Sequence, residues 1–298
     1  MESNIDKNTG VRMNNRILIG TPTRGLMRAE WVAARYGQTI PCNWSYVEYL
    51  QWLSQYMPTE YQIADAENLL AKAVVEGNFE WFFSVEEDNV LPRDTFIKLN
   101  EYMINGYDGM GTIAPVVSGI YFTKTVPPEP ILYRGRGNGY YADWKMGDKV
   151  WVDGLPFGCT LIHGNIIREL WKVSPEYVVP GTNIVTRRVF DFPSQPHQDP
   201  AKIFSRVMGT TDLAFYTRIM KEGILAKAGF PLFQDMEFPF LIDTTIFVKH
   251  IDQNGVQYPL EIPKRFIKMK EDTTNEEKAP EMLTVKVDDK VNISDKVK

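Results

Sequence analysis

Residues 81 to 92, WFFSVEEDNVLP, constrain this chain more than any other stretch. Apart from Ser84 the first five are bulky and apolar, and strands covered on both faces read as such continuous runs. Glu86, Glu87 and Asp88 follow at once. Ionised carboxylates crowded together are unfavourable unless a cation lies between them or one takes up a proton. Side chains alternate along an extended chain, so the segment predicts Glu86 and Asp88 on one side and Glu87 on the other. Two readings follow. Either the acids form a solvated turn, or Glu86 and Asp88 hold a hard divalent ion, Mg²⁺ or Mn²⁺, which keeps positions for water and for substrate phosphates.

The surrounding pattern alternates. RILIG, closed by Gly20 and Pro22, reads as a first buried strand feeding the loop TPTRG. Ser45 and Glu48 stand in capping-box spacing and predict a helix over Ser45 to Met57. Ile63, Ala66, Leu69, Leu70, Ala73 and Val74 share one face of a helix ended by Gly77. After the acids, Pro92 precedes a helix with Phe96, Leu99 and Met103 inward, then the strand-like APVVSGIYF, Ala114 to Phe122. Residues 126 to 150, rich in Pro and Gly, read as loops. An apolar segment around Leu161 and a helix from Asn165 to Val173 come next. Pro180 to Gly209 is a long stretch with little periodicity, of the kind that forms lids, and it carries Arg187, Arg188, His197, Lys202 and Arg206. Thr210 or Thr211 caps a helix through Leu213, Tyr216 and Met220, and Thr244 to His250 is a late strand. The alternation predicts an α/β fold, a mostly parallel sheet flanked by helices, with ligands at the carboxyl ends of its strands.

Composition narrows the field. With 298 residues, 44% hydrophobic, the chain has material for a sizeable core. A net charge of −5 with no concentrated basic stripe speaks against a nucleic-acid groove. No run approaches a membrane span and the first residues carry no signal-peptide core, so a cytoplasmic protein with no membrane span is expected. Cys42 and Cys159 are expected to be free thiols.

Taken in order, RILIG with its Thr-Pro loop, the helix IADAENLLAKAV, the apolar strand ending in Glu86-Glu87-Asp88, VVSGIYF, the glycine-bearing LPFGCTLI, TTDLAFYTRIMKEG and IFVKHID make the chain similar to GT-A fold glycosyltransferases, of a family 2-like, nucleotide-sugar-dependent type. Over roughly residues 15 to 262 it resembles them, the acidic triplet standing for their DxD-type metal site. Glu86 takes the place of the usual Asp, Glu67 stands where related chains often carry Arg before Asn68, and Thr211 replaces the acid that often precedes Asp212.

The resemblance implies a Rossmann-like domain over 15–268, with a flexible N-terminus over 1–14 and a charged tail or hairpin over 269–298. It implies metal-dependent transfer of a sugar from a nucleoside diphosphate sugar donor to a hydroxyl-bearing acceptor, with inversion, using Mn²⁺ or Mg²⁺. Asp88 would be a metal ligand, Glu86 a second ligand or a ribose contact, and His250 a third ligand. A lone histidine is otherwise content with one partner. Glu87 would touch the nucleotide or face solvent. Thr21, Pro22, Thr23 and Arg24 would line the nucleotide pocket with Asp65 nearby, Arg24 being equally readable as a solvated loop charge. Gly158 would let backbone pass close to the sugar, or mark a bulge. Asp212, in a helix's first turn where the dipole favours its ionised form, would be the general base, although an acid there is stabilising without any catalytic role. A nucleotidyltransferase is the alternative enzyme class, disfavoured because no glycine-rich, Lys-bearing loop follows Gly20; a non-catalytic nucleotide- or carbohydrate-binding protein is the third reading.

Overall fold

A computed structural model describes residues 17–41, 54–135, 139–192 and 210–268. In chain order these form β1 (Ile17–Gly20), α1 (Ala29–Tyr36), β2 (Ser54–Tyr56), α2 (Ile63–Glu76), β3 (Trp81–Val85), β4 (Asn89–Val90), α3 (Thr95–Asn105), β5 (Val116–Ile120), β6 (Lys149–Val152), β7 (Cys159–His163) and α4 (Gly164–Val173). They continue as β8 (Glu176–Val178), β9 (Val185–Arg187), α5 (Thr211–Lys221), α6 (Ile224–Lys227), α7 (Pro231–Gln234), β10 (Phe240–Phe247), β11 (Lys249–Ile251) and β12 (Gln257–Tyr258).

A seven-stranded sheet in the order β2-β1-β3-β7-β5-β10-β6 forms the centre. β1, β2 and β3 run parallel, as do β5 and β10, while β7 lies antiparallel between β3 and β5 and β6 antiparallel to β10. The sheet is thus mixed but mostly parallel, as the alternation predicts. Each central strand feeds two cores. Leu18, Phe82 and Ile162 join Leu70 and Val74 of α2 and Ile166 and Leu170 of α4 on one face. Ile17, Ile19, Phe83, Val85 and Leu161 join Trp31 of α1 and Phe96, Leu99 and Met103 of α3 on the other. Two covered faces are why WFFSV carries apolar residues at successive positions.

Several sequence expectations change: β6 begins inside 126–150, read as loops, and within Pro180 to Gly209 residues Val185–Arg187 form β9, paired with β8. Most of the helix expected over Ser45 to Met57 lies outside the described residues, but its end, Ser54–Tyr56, is a strand. β1 offers unpaired backbone groups on that side, and pairing there gives Leu18, Ile19 and Gly20 partners in register. The single late strand expected over Thr244 to His250 is instead two. β10 starts earlier, at Phe240, and its register with β5 shifts between Asp243 and Phe247. Thr244 Oγ1 is drawn off to donate to the Asp148 carbonyl at 2.7 Å, and Asp243 accepts from the Thr245 amide and hydroxyl at 2.8 and 2.7 Å. β11 then leaves the central sheet and pairs elsewhere. The short helix α1 went unforeseen, and its signal is the spacing of Trp31 and Arg35, both buried on one face. Cys159 is buried as a free thiol, whereas Cys42, the segments 1–14 and 269–298, and the cations His197, Lys202 and Arg206 lie outside the described residues. Among the described residues no helix is long and apolar enough to cross a membrane.

Leu161, fully buried on β7 between β3 and β5, tests the two-sided core. Replacing it with Ala should cost about 2–5 kcal/mol in urea unfolding at unchanged slope. A loss below about 1 kcal/mol would mean that the strand is not packed as described.

Candidate functional site

The acidic triplet is a turn, not the continuation of an extended strand: the Asn89 amide donates to the Glu86 carbonyl at 3.2 Å and closes residues 86–89. Three neighbouring elements brace it. Trp31 Nε1 of α1 donates to the Glu86 carbonyl at 2.8 Å, the Glu86 amide reaches the Gly158 carbonyl at 3.4 Å, and the Ile251 amide donates to the Asp88 carbonyl at 2.7 Å. β4 leaves this turn and pairs antiparallel with β11, which sets His250 opposite Asn89. That pairing delivers a histidine from near the end of the described chain to a carboxylate more than 150 residues earlier.

The side chains differ in their partners, although all three line one cleft. Glu87 faces the loop after β1: it accepts from Thr23 Oγ1 at 2.6 Å, the Arg24 amide at 2.9 Å and Arg24 Nε at 2.8 Å. Glu86 and Asp88 instead share a donor, Asn89 Nδ2, at 3.2 and 3.4 Å. Asp88 Oδ2 also meets Lys124 Nζ at 2.5 Å and His250 Nε2 at 3.3 Å. Glu86 Oε2 lies 3.5 Å from the hydroxyl of buried Tyr121, which accepts from the Gly158 amide at 2.9 Å.

These surroundings push the two acids apart. Burial, then the charges of Asp88 and Asp212, raise Glu86 to about 8, against an ordinary 4.5. Burial also opposes ionisation of Asp88, but its bonds to His250 and Lys124 outweigh it and lower the group to about 2. Crowding thus opposes ionisation of both acids at once, and it is Glu86 that is pushed up.

Pro22, Thr23, Arg24, Tyr61, Ile63, Glu86, Glu87, Asp88 and His250 line one cleft of about 460 Å³. The chain thus gathers most of the residues expected at a nucleotide and metal site. Others fall elsewhere. Thr21 is buried behind the loop, its amide tied to the Tyr56 carbonyl at 3.0 Å. Asp65, two residues along α2 from Ile63, does not line the cleft: it accepts from the Tyr177 hydroxyl at 2.6 Å. Gly158 is not a wall of the cleft either. A Cβ there would collide with Asn89 Nδ2 and the Tyr121 hydroxyl, so it is glycine because the acidic turn packs directly on its backbone. Arg187 and Arg188 lie at the β8–β9 hairpin, the first donating to the Trp171 carbonyl of α4 at 3.0 Å and the second lying over the Tyr177 ring.

Asp212 occupies the first turn of α5 and accepts from Thr210 Oγ1 and, at 2.7 Å, from the Leu213 amide. The helix terminus favours its ionised form, as expected, but burial prevails and raises it to about 6. It is not a wall of the cleft, yet its charge is felt by Glu86 and Tyr121 behind the acidic turn. Glu67 lies beneath it, almost fully buried, and accepts from Thr211 Oγ1 at 3.2 Å. Burial raises this carboxyl well above its ordinary value. Lys124, Asn89, Tyr61, Ile63 and Tyr121 are the site residues that sequence reasoning missed. The only signal for Asn89 and Lys124 was their charge or polarity beside the acids and after a strand.

Among the described residues no group of three or more His, Cys, Asp or Glu side chains is arranged to hold a metal ion. A pair is present. His250 Nδ1 sits 3.0 Å from the Phe122 carbonyl, which accepts only if that nitrogen carries a proton, so Nε2 is the nitrogen presented to Asp88. The 3.3 Å between Nε2 and Asp88 Oδ2 is close to the ~3 Å separating adjacent ligands of a small octahedral ion. Asp88 and His250 are the residues that could hold a divalent ion between them. Glu86 is turned toward Asn89 and Tyr121 instead of joining them.

No protein-family model and no curated protein matches the chain. Among solved structures, A197 from STIV is similar, with a TM-score of 0.47 and 13% sequence identity over 81% of this chain and 88% of that one.

The divided acids predict a pH dependence that can be checked without a ligand. Glu86 keeps its proton in the folded protein up to about 8, but loses it near 4.5 when unfolded. Between those values the folded state binds more protons, so stability falls as pH rises. Asp88 acts oppositely, contributing stability above its ordinary 3.8 that is lost as pH falls toward about 2. In metal-free urea titrations, Glu86→Gln should therefore gain on the wild type steadily across the window from 4.5 to about 8. Parallel stability curves would show that Glu86 ionises normally.

Proposed function

We propose that the chain is a metal-dependent glycosyltransferase of GT-A type, moving a sugar from a nucleoside diphosphate donor to a hydroxyl acceptor with inversion. The observation that carries this reading is the convergence, in one cleft, of the β1 loop, the acidic turn and His250. The order of motifs along the sequence supports it too. The cleft is of a size that suits a nucleotide-bearing ligand. Its wall joins an aromatic and an aliphatic side chain, Tyr61 and Ile63, to Arg24 and the acids. Apolar surface for a base and charged groups for a diphosphate are thereby available.

Asp88 and His250 would hold Mg²⁺ or Mn²⁺, with Glu86 able to join only after leaving Asn89 and Tyr121. Such an ion supplies positive charge for the diphosphate that departs as the glycosidic bond breaks. With Nδ1 donating to the Phe122 carbonyl, Nε2 is the His250 nitrogen that faces Asp88 and would meet the ion. Glu87 binds the β1 loop through Thr23 and Arg24, which keeps Pro22 and Arg24 at the cleft. Asp212 is the base of this reading. The acceptor oxygen attacks the anomeric carbon, its proton passes to the Asp212 carboxylate, and the bond to the diphosphate oxygen breaks with its electron pair leaving on the diphosphate. A value of about 6 leaves Asp212 ionised near neutrality yet basic enough to accept a proton.

Incubation with Mn²⁺, a panel of nucleotide sugars and simple glycan acceptors should release nucleoside diphosphate. Asp212→Asn should lower kcat by roughly 10²–10⁴-fold with donor binding retained. The wild-type rate should also fall as pH drops below about 6, as the base becomes protonated. Pyrophosphate release from nucleoside triphosphates would identify a nucleotidyltransferase instead, and metal-dependent nucleotide binding without turnover would identify a binding protein.

A further inference from the structure

We propose that Lys124 is a built-in counter-ion that competes with a divalent cation for Asp88, an inference that rests on the cation reading above. Lys124 follows β5 and the segment Tyr121–Thr123, and its ammonium reaches the Asp88 oxygen that His250 Nε2 also faces. A divalent ion held by Asp88 Oδ2 and His250 Nε2 would share that oxygen with the ammonium. Two cations so placed repel strongly, and the more so where the surroundings screen them little. Occupancy by one therefore opposes the other.

The backbone around Lys124 is held by the bonds of its neighbours, while its side chain is tied only at the ammonium. The Thr123 amide donates to the Glu129 carbonyl at 2.8 Å, the Glu129 amide returns a bond to Thr123 Oγ1 at 3.0 Å, and the hydroxyls of Thr123 and Thr125 bond to each other at 2.6 Å. The Lys124 side chain is 31% exposed, and Asp88 is its sole acceptor among the described residues. A long, flexible stem rooted in a tied loop can swing to water without disturbing the turn. Asp88 is thus compensated when no metal is present, and free metal binds it weakly until the ammonium is displaced.

Mn²⁺ binding to the full chain, followed by the electron paramagnetic resonance of the free ion without any nucleotide, tests this directly. Lys124→Met should bind Mn²⁺ about tenfold tighter than the wild type or better, and the gain should vanish in the Lys124→Met/Asp88→Asn double variant. Equal or weaker binding by Lys124→Met, with wild-type binding still dependent on Asp88, would overturn the competition and leave the cation site standing. Absence of Asp88-dependent binding in both proteins would instead remove the cation reading itself. A measurement on the wild type guards against a misfolded variant: acetylation of Lys124 should speed up on adding Mg²⁺, and an unchanged rate would count against displacement.

Discussion

Three adjacent carboxylates at the mouth of an apolar sheet present one electrostatic problem, and the architecture of the site is its solution. Glu87 is neutralised by Arg24 and held by Thr23 from the loop after β1. Asp88 is compensated by Lys124 from beyond β5 and by His250 from β11. Glu86, left with an amide and a phenol, keeps its proton. Each acid thereby ties the turn to a different part of the chain, so the charges that must be compensated also fix which loops meet. In this way a local repulsion becomes a long-range constraint on the fold.

Backbone pairing makes the solution reproducible. β10 bulges where Thr244 and Thr245 turn to Asp148 and Asp243, and the chain emerges from that irregularity as β11. There it finds β4, a strand of only two residues whose position is set by the acidic turn. Tyr121 completes the scaffold, packing edge-on against His250 while bonding Gly158 and Glu86. The same residues that order the turn also leave one face of it open to a cleft, which is the arrangement a ligand site needs.

Much of this was legible in the sequence, for physical reasons that differ by element. WFFSV declared a strand covered on both faces, and Ile63 to Val74 declared a helix, because burial imposes a period on apolar residues. The acids declared a site because crowded charge demands compensation. Three things were not legible. The strand at Ser54–Tyr56 depends on an edge supplied by β1, which no local pattern encodes. The splitting of the late strand depends on side-chain bonds from Thr244 to a loop almost 100 residues away. Lys124 carries no motif at all; only the closing of the sheet brings it to Asp88. Asp65 and Thr21 show the converse, residues of suitable chemistry whose bonds to Tyr177 and Tyr56 keep them out of the cleft.

The central proposal is that the acidic turn and His250 would seat a cation beside a nucleotide. A crystal soaked with a nucleoside diphosphate and Mn²⁺, with diffraction collected at the manganese edge, addresses it most directly. The account predicts an anomalous peak touching both Asp88 Oδ2 and His250 Nε2, with diphosphate oxygens beside it and the Lys124 ammonium withdrawn. Nucleotide bound in the cleft with no peak there, and Lys124 still on Asp88, would contradict it.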